Sequence, residues 1–174
     1  MKDCNCGYCM GGEILAGFGI KICDLKVSQL ILFKEQSHPG RVIVAYKDHV
    51  SELVDISAEE RVLFFEDVAA AANALHKAFA PDKINYGAYG DGGCHLHFHL
   101  VPKYKDQFEW ATTFAMNPGK TYLSDEEYAA MIKKTRPLCK KKKVPGGIPS
   151  GFLLTVCPRR IYRSTSAPKR RNSL

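Results

Sequence analysis

The feature that most constrains this chain is a row of three histidines, His95, His97 and His99, spaced two residues apart. Leu96 and Phe98 separate them. Successive side chains of a β-strand point to opposite faces, so this alternation predicts a strand with three imidazoles on one face and apolar side chains on the other. The chain has six histidines, and half of them lie in these five residues. Folding alone does not require such a face.

Three neighbouring imidazoles, each titrating near pH ~6.5, have two chemical uses. Neutral imidazole is the commonest metal ligand, so the row can be a metal site. Alternatively, the middle imidazole of His97 attacks as a nucleophile while its neighbours orient it and handle protons. A polar strand face with no chemical role is the third interpretation.

A second group of reactive side chains lies near the N-terminus, where Cys6-Gly7-Tyr8-Cys9 forms a C-x-x-C knuckle with Cys4 as an alternative ligand. Two cysteines are half of the closed tetrahedral shell of a structural zinc, so two further ligands must come from elsewhere in the chain. The spacing alone also fits a redox pair or an accidental cluster.

The run from His95 to Val101 has the alternating histidine pattern of the histidine triad (HIT) family, and the chain resembles the nucleotide hydrolases and transferases of that family over about residues 4 to 136. We therefore expect an α+β fold, a HIT-like antiparallel sheet of about five strands with two helices, in a domain spanning residues 1–139. The resemblance also implies a homodimer.

The resemblance also implies which residues complete a metal site with the two cysteines of the knuckle. HIT-superfamily members that open with C-x-x-C, a subgroup like the diadenosine polyphosphate hydrolases, complete a zinc site with the first triad histidine and one histidine after the second hairpin strand. His49 stands in that place here. The implied cofactor is a structural zinc on Cys6, Cys9, His49 and His95.

The resemblance further implies that His97 attacks the α-phosphorus of a nucleotide and that His99 protonates or orients the leaving group. Water then releases a nucleoside monophosphate from a nucleotidyl-histidine. Histidine rather than glutamine at position 99 favours hydrolysis over transfer. The expected substrates are nucleoside phosphoramidates or dinucleoside polyphosphates, with adenosine as the expected base.

Residues ahead of the triad are expected to border the phosphates. The glycine-rich turn can bring backbone N–H groups close to an anion. Cys94 stands where many members have Ser, Thr or Gln, so phosphate contacts there must come from the backbone. Arg41 stands where many members carry a further histidine. The expected substrate-binding residues are Asn85, Gly92, Gly93, Cys94 and His99.

Two other functions remain open on the residues alone. One is a metal-dependent hydrolase in which the triad histidines hold the catalytic ion. The other is a nucleotide- or nucleic-acid-binding module that uses the basic tail.

The remaining elements follow from local patterns. The runs 29–33 and 41–46 predict a hairpin whose turn presents His38 to solvent. Ser57 and Glu60 form a capping box that opens a long helix to about Phe79, and Ser124 with Glu127 opens a second helix. Apolar spacing places one set of side chains on the buried face of the first helix: Val62, Phe65, Val68, Ala69, Ala72 and Leu75.

The basic charge of the chain is concentrated in its last part. Residues 140–174 hold ten of the 25 Lys and Arg residues and none of the 18 Asp and Glu residues. We expect this tail to be disordered and nucleic-acid binding to be unlikely except through it. No apolar run approaches the ~18 residues of a membrane span, and the N-terminus lacks a signal-peptide pattern. These features predict a cytoplasmic protein without membrane contact.

Overall fold

A computed structural model of the protein describes residues 2–136, so the predicted boundary at 139 and the basic tail 140–174 lie outside the described residues. The described part is an α+β fold. Its elements, in chain order, are α1 (Gly7–Met10), α2 (Gly12–Ala16), β1 (Gly19–Asp24), β2 (Ser28–Phe33), β3 (Val42–Tyr46), a 3-10 turn (Leu53–Asp55), α3 (Ala58–Phe79), β4 (Lys83–Gly87), β5 (His97–Lys103) and α4 (Asp125–Thr135).

The five strands form one sheet in the order β1-β2-β3-β5-β4, and every neighbouring pair is antiparallel. This architecture confirms the predicted fold class, and two short N-terminal helices are added to the two predicted ones. Within residues 2–136, no helix has the length and apolar character needed to cross a bilayer.

One face of the sheet packs against α3 and carries the larger core. Alternate strand residues supply the sheet side of this core because side chains alternate between the two faces. Phe64 is fully buried on the helix side, and its ring meets those of Tyr46 and Phe98. The sheet contributes a further set of buried side chains: Leu30, Leu32, Val42, Val44 and Leu100.

The opposite face holds a smaller apolar cluster together with the reactive side chains. Ile31, Ile43 and Ala45 are completely buried there, and Leu15 of α2 packs on them. On β5 the same face carries His97 and His99. The short N-terminal helices therefore cover the side of the sheet that holds the histidine row.

The capping boxes are confirmed at both predicted helix starts: the Ser57 side chain accepts from Glu60 N, and the Ser124 side chain from Glu127 N. The predicted buried face of α3 is partly wrong. Val62, Phe65 and Ala69 are exposed, whereas Phe64 is buried. With apolar residues at the four successive positions 62–65, spacing alone does not define the buried face, and contact with the sheet decides it.

A buried carboxylate on α3 fixes the turn between β1 and β2. Asp67 accepts hydrogen bonds from Lys26 N (3.1 Å), Val27 N (2.9 Å) and Ser28 Oγ (2.8 Å). Asp67→Ala should lower the free energy of unfolding by about 2–4 kcal/mol because three donors, two of them in buried hydrogen bonds, lose their acceptor. The control is Glu66→Ala, which removes only an exposed ion pair with Lys26 and should leave the free energy of unfolding nearly unchanged. Urea titration of both variants measures the difference, and equal losses would contradict the assigned role.

Candidate functional site

The histidine row lies where β5 enters the middle of the sheet. His97 pairs with Ala45 and His99 with Ile43 on the neighbouring strand β3. The strand begins at His97 rather than at His95, although Leu96 N still bonds the Val50 carbonyl at 2.6 Å. All three imidazoles are nearly inaccessible, with exposures of 2%, 8% and 4% in chain order.

The hydrogen bond made by His97 defines its tautomer. Its Nδ1 lies 2.6 Å from the His95 carbonyl oxygen, which can only accept, so Nδ1 carries the proton. The other ring nitrogen, Nε2, therefore keeps its lone pair. Burial lowers the pKa of His97, while the bond to the His95 carbonyl opposes that shift. The ring is thus a neutral imidazole of fixed orientation.

The ring of His99 contacts a cation rather than a carboxylate. Arg41 Nη2 lies 3.2 Å from His99 Nδ1, and the His97 and His99 ring centroids are 5.2 Å apart. Burial, the Arg41 guanidinium and His97 lower the pKa of His99 to about 3. His99 is therefore neutral at physiological pH.

Arg41 is completely buried in the structure. Its guanidinium carbon lies 4.3 Å from the Phe33 ring centroid and 5.2 Å from that of Phe114. Its Nη1 donates to the Ala115 carbonyl at 3.4 Å, and burial lowers the pKa of Arg41 to about 10. The sequence marked this position only as a departure from the family pattern, because no local signal shows that an arginine will be buried.

The depressed pKa of His99 has a consequence for stability. Between about pH 6.5 and pH 3 the unfolded chain binds a proton at His99 that the native state does not bind, so stability is lost as the pH falls through this range. We expect His99→Asn to flatten the dependence of unfolding free energy on pH by up to about 1.4 kcal/mol per pH unit near pH 5.

The charged and titratable groups that act on His99 are Arg41 and His97, and both remain in this variant. The control is His76→Gln, because His76 is exposed on α3. Denaturant titrations at several pH values measure both slopes. An unchanged slope in His99→Asn would contradict the burial argument.

Four predicted ligands are brought together beside the row. The ligand atoms of Cys6, Cys9, His49 and His95 all lie within 4.8 Å of one another. Individual distances are 3.4 Å from Cys6 Sγ to His95 Nδ1, 3.3 Å from Cys9 Sγ to His49 Nδ1, and 3.4 Å between the two Nδ1 atoms. The thiols of Cys6 and Cys9 are free, and Cys4 is exposed outside the group. This group can hold a metal ion.

The ring of His95 is oriented for such a role. Its Nε2 donates to the Tyr46 carbonyl at 2.8 Å, so the lone pair on Nδ1 faces the cluster. On His49, Nδ1 faces the cluster and Nε2 lies 3.8 Å from an Asp3 carboxylate oxygen. A backbone carbonyl behind a ligating ring is a common way to fix its tautomer.

Tyr8 is a site residue that sequence reasoning missed. Its ring centroid lies 5.0 Å from that of His97, with an interplanar angle of 30°, and 4.9 Å from that of His95. The Gln29 side chain donates to the Tyr8 carbonyl at 2.7 Å. The available signal was its position between the two cysteines, because a knuckle that docks on His95 brings the intervening ring with it.

The predicted substrate-binding residues lie on two sides of the row. Asn85 is half-buried on β4 opposite Val101, on the sheet face that carries His97 and His99. Gly92, Gly93 and Cys94 are exposed in the connection from β4 to β5. Gly92 lines a cavity of about 480 Å³ with a set of neighbouring residues: Tyr89, Asp91, Thr113, Phe114 and Met116.

One glycine controls how closely this cavity approaches the row. Gly87 lies opposite His99 on β4, and a Cβ atom there would come within 2.7 Å of the Phe114 ring. The absence of a side chain lets Phe114 reach a centroid distance of 6.5 Å from His99. The cavity wall is therefore in contact with the last histidine of the row.

The predicted solvent exposure of His38 is wrong. The side chain is buried, its Nε2 lies 2.8 Å from a Glu109 carboxylate oxygen, and its ring packs against that of Phe108. Burial lowers the pKa of His38, with the bond to Glu109 acting in the opposite direction. The segment after β5 folds back over the turn, a long-range contact that the turn sequence does not encode.

Comparison with known proteins identifies the family. Residues 20–106 match the HIT domain model, so the chain belongs to the HIT domain family, whose members are generally nucleotide-binding hydrolases or transferases. The matched range includes the triad and His49 but not the cysteine knuckle. No curated protein matches the sequence significantly.

Solved structures with the same fold include three bacterial histidine triad proteins. The protein from Marinobacter aquaeolei has a TM-score of 0.68 and 21% identity, covering 75% of this chain and 95% of that chain. The Bradyrhizobium japonicum protein has a TM-score of 0.67 and 19% identity, covering 74% of this chain and 96% of that chain. The Sinorhizobium meliloti protein has a TM-score of 0.66 and 21% identity, covering 72% of this chain and 93% of that chain. At these identities the likeness shows a shared fold.

Proposed function

We propose that the protein is a nucleotide hydrolase that cleaves nucleoside phosphoramidates or dinucleoside polyphosphates through a nucleotidyl-histidine on His97. The observation that carries this proposal is the 2.6 Å contact from His97 Nδ1 to the His95 carbonyl. Because that contact holds the proton on Nδ1, Nε2 is left as a nucleophile. Membership of the HIT domain family supports a nucleotide as the substrate.

The reaction has two displacements at the α-phosphorus. In the first, His97 Nε2 forms a P–N bond while the bond to the leaving group breaks, and the leaving group takes the electron pair. In the second, water attacks the same phosphorus, the P–N bond breaks, the electron pair returns to His97 Nε2, and the water releases one proton to solvent. A nucleoside monophosphate is released. The protein contributes mainly orientation and charge stabilisation to such loose transition states.

The substrate is placed by the residues around the row. Asn85 and the backbone of Gly92, Gly93 and Cys94 contact the phosphates, and the cavity beside Phe114 receives the rest of the nucleotide. Glycines at positions 92 and 93 have open space where a Cβ would stand, which leaves their backbone accessible to an anion. His99 contacts the leaving group.

The metal is a structural zinc on Cys6, Cys9, His49 and His95. Zn–S bonds of about 2.3 Å and Zn–N bonds of about 2.0–2.1 Å place tetrahedral neighbours about 3.3–3.8 Å apart. The Sγ–Nδ1 and Nδ1–Nδ1 distances of 3.3 to 3.6 Å fall in that range. Four protein ligands close the shell, so the zinc supplies stability and orients His95 rather than taking part in the displacement.

The competing metal-dependent hydrolase receives less support from the geometry. Among residues 2–136, the group suited to a metal takes only His95 from the triad. His97 directs Nδ1 to a carbonyl, and His99 directs Nδ1 to a guanidinium. The nucleic-acid-binding alternative depends on the tail, which lies outside the described residues. The homodimer, the adenosine preference and the cytoplasmic location remain predictions of the proposal.

The test is a product assay joined to a trap for the intermediate. The full chain is incubated with adenosine and guanosine phosphoramidates and with diadenosine and diguanosine polyphosphates, and the nucleoside monophosphate is quantified by chromatography. Rapid acid-free quenching followed by mass spectrometry of the intact chain should show a covalent nucleotidyl adduct that maps to His97. Turnover without any adduct, or an adduct on another residue, would reject the nucleotidyl-His97 mechanism.

A further inference from the structure

We infer that Arg41 makes this site selective for nucleotides whose leaving group departs as an anion, and that it acts through His99. The inference rests on the proposed function and narrows it, because it separates anhydride substrates from phosphoramidates. Arg41 is a positioning and specificity-determining residue in this scheme, since its contact is with His99 and not with the reacting atoms.

The contact with Arg41 determines which nitrogen of His99 carries the proton. A guanidinium has only donors and no acceptor, so the 3.2 Å contact from Arg41 Nη2 requires a lone pair on His99 Nδ1. The single proton of the neutral ring is therefore on Nε2. Donating it completely would leave an imidazolate, and adding a second proton on Nδ1 would set an imidazolium against the guanidinium. His99 can thus offer a hydrogen bond but not a full proton.

The two classes of substrate differ in what their leaving groups require. When a P–N bond breaks, the electron pair goes to the nitrogen, and an amine leaves readily only if it gains a proton at that moment. When a phosphoanhydride P–O bond breaks, the electron pair remains on a phosphate oxygen, which is stable as an anion. The Nε2–H of His99 can donate a hydrogen bond to that oxygen. An anhydride can therefore be cleaved here without a full proton transfer to its leaving group.

Arg41 carries a positive charge that is completely buried. Within residues 2–136 no carboxylate forms an ion pair with Arg41 at 4.0 Å or less, and its buried Nε has no hydrogen-bond partner. Glu35, whose buried Oε2 also lacks a hydrogen-bond partner, and Glu109 raise the pKa of Arg41 from a greater distance. Nearby Glu35 accepts from Ser37 and from Thr121 N (3.2 Å), while Glu109 accepts from His38 and from Ala115 N (3.0 Å). A buried cation without a paired anion is costly. A departing phosphate chain adds negative charge to the same site.

The neighbours of the Arg41 guanidinium hold it in place. The guanidinium lies between the Phe33 and Phe114 rings, at 4.3 Å and 5.2 Å from their centroids, and donates to the Ala115 carbonyl. The cation therefore cannot turn away from His99 when the substrate is absent. A fixed charge in a site of low dielectric stabilises developing negative charge without reorganisation.

The test compares two leaving groups on one nucleotide. Diadenosine tetraphosphate releases adenosine triphosphate as an anion, and adenosine 5′-phosphomorpholidate releases the amine morpholine, while the α-phosphorus and nucleoside are the same. Matched guanosine compounds are run in parallel. Because a general acid contributes about 100-fold or more, kcat/KM for the tetraphosphate should exceed that for the morpholidate by about 100-fold.

Two variants separate selectivity from stability. Arg41→His, which supplies a ring able to exchange protons with His99, should reduce the tetraphosphate-to-morpholidate ratio by about tenfold or more. Arg41→Lys should restore the preference, because an ammonium also only donates. Arg61→His is the matched control, since the Arg61 guanidinium donates to the Leu53 carbonyl at the start of α3. A purely structural role would lower both rates together and leave the ratio unchanged.

Each result decides the inference. Turnover of both substrates by the unmodified chain at similar kcat/KM, or a preference for the morpholidate, overturns it and leaves the His97 mechanism intact. A ratio unchanged in Arg41→His overturns it as well. If that variant does not fold, Arg41→Lys decides, and loss of the tetraphosphate preference in a folded Arg41→Lys variant overturns the inference. No turnover of any of the four compounds rejects the proposed function and this inference with it.

Discussion

His97→Ala should abolish the release of nucleoside monophosphate, with kcat/KM falling by a factor on the order of 10⁴ or more. The reason is that both displacements of the proposed mechanism pass through a bond to His97 Nε2, and no other imidazole in the row has a free nitrogen in the same setting. His95 directs Nδ1 to the cysteine cluster, and His99 Nδ1 accepts from Arg41. The measurement is single-turnover product formation with the best compound of the substrate panel.

The matched control for this prediction is His76→Ala. His76 is exposed in the last turn of α3, so its loss changes one imidazole without touching the row. Thermal unfolding of both variants shows whether the fold is kept. If His97→Ala folds and retains turnover within tenfold of the unmodified chain, the nucleophile has been assigned to the wrong residue.

Loss of the metal ligands should lower the thermal stability strongly. An ion at a thousandfold excess over its dissociation constant stabilises the native state by about 4 kcal/mol. For a domain of this size that corresponds to a fall in midpoint on the order of 10 °C when Cys6→Ser and Cys9→Ser are combined. Differential scanning calorimetry measures the midpoint, and elemental analysis should show one zinc per chain lost in the variant.

Cysteine positions outside the group provide the controls. Cys4 and Cys94 are free and exposed, so replacing either with serine should leave the zinc content and the midpoint unchanged. A full complement of zinc in the Cys6 and Cys9 double variant would show that the ion is held elsewhere. Complete loss of turnover on chelation, with the midpoint unchanged, would favour the metal-dependent hydrolase instead.

Local sequence signals predicted the framework of the site well. Alternation in the histidine row predicted a strand, and Ser57 and Ser124 marked the starts of α3 and α4. These signals work because side-chain alternation and helix capping depend on residues a few positions apart. The family resemblance predicted the grouping of the two cysteines with His49 and His95, which no local rule connects.

The remaining features depend on contacts between distant segments. His38 was predicted in solvent because a turn is usually exposed, but Glu109, far along the chain, reaches its ring. Arg41 was recognised only as standing where many family members carry a further histidine, and its burial is decided by the Phe33 and Phe114 rings together. For α3, pairing with the sheet selected Phe64 over Phe65. Long-range packing decides all three.

The stacking of Tyr8 on His97 has a practical implication for anyone handling this protein. The ring that covers the His97 imidazole is supplied by a stretch only four residues long, from Cys6 to Cys9, that lies before the first strand. Trimming the chain to its matched family region, which begins at residue 20, would remove that shield and two thiols in one cut. Purification tags therefore belong at the far end, and a shortened protein is a poor substitute in any enzymatic assay.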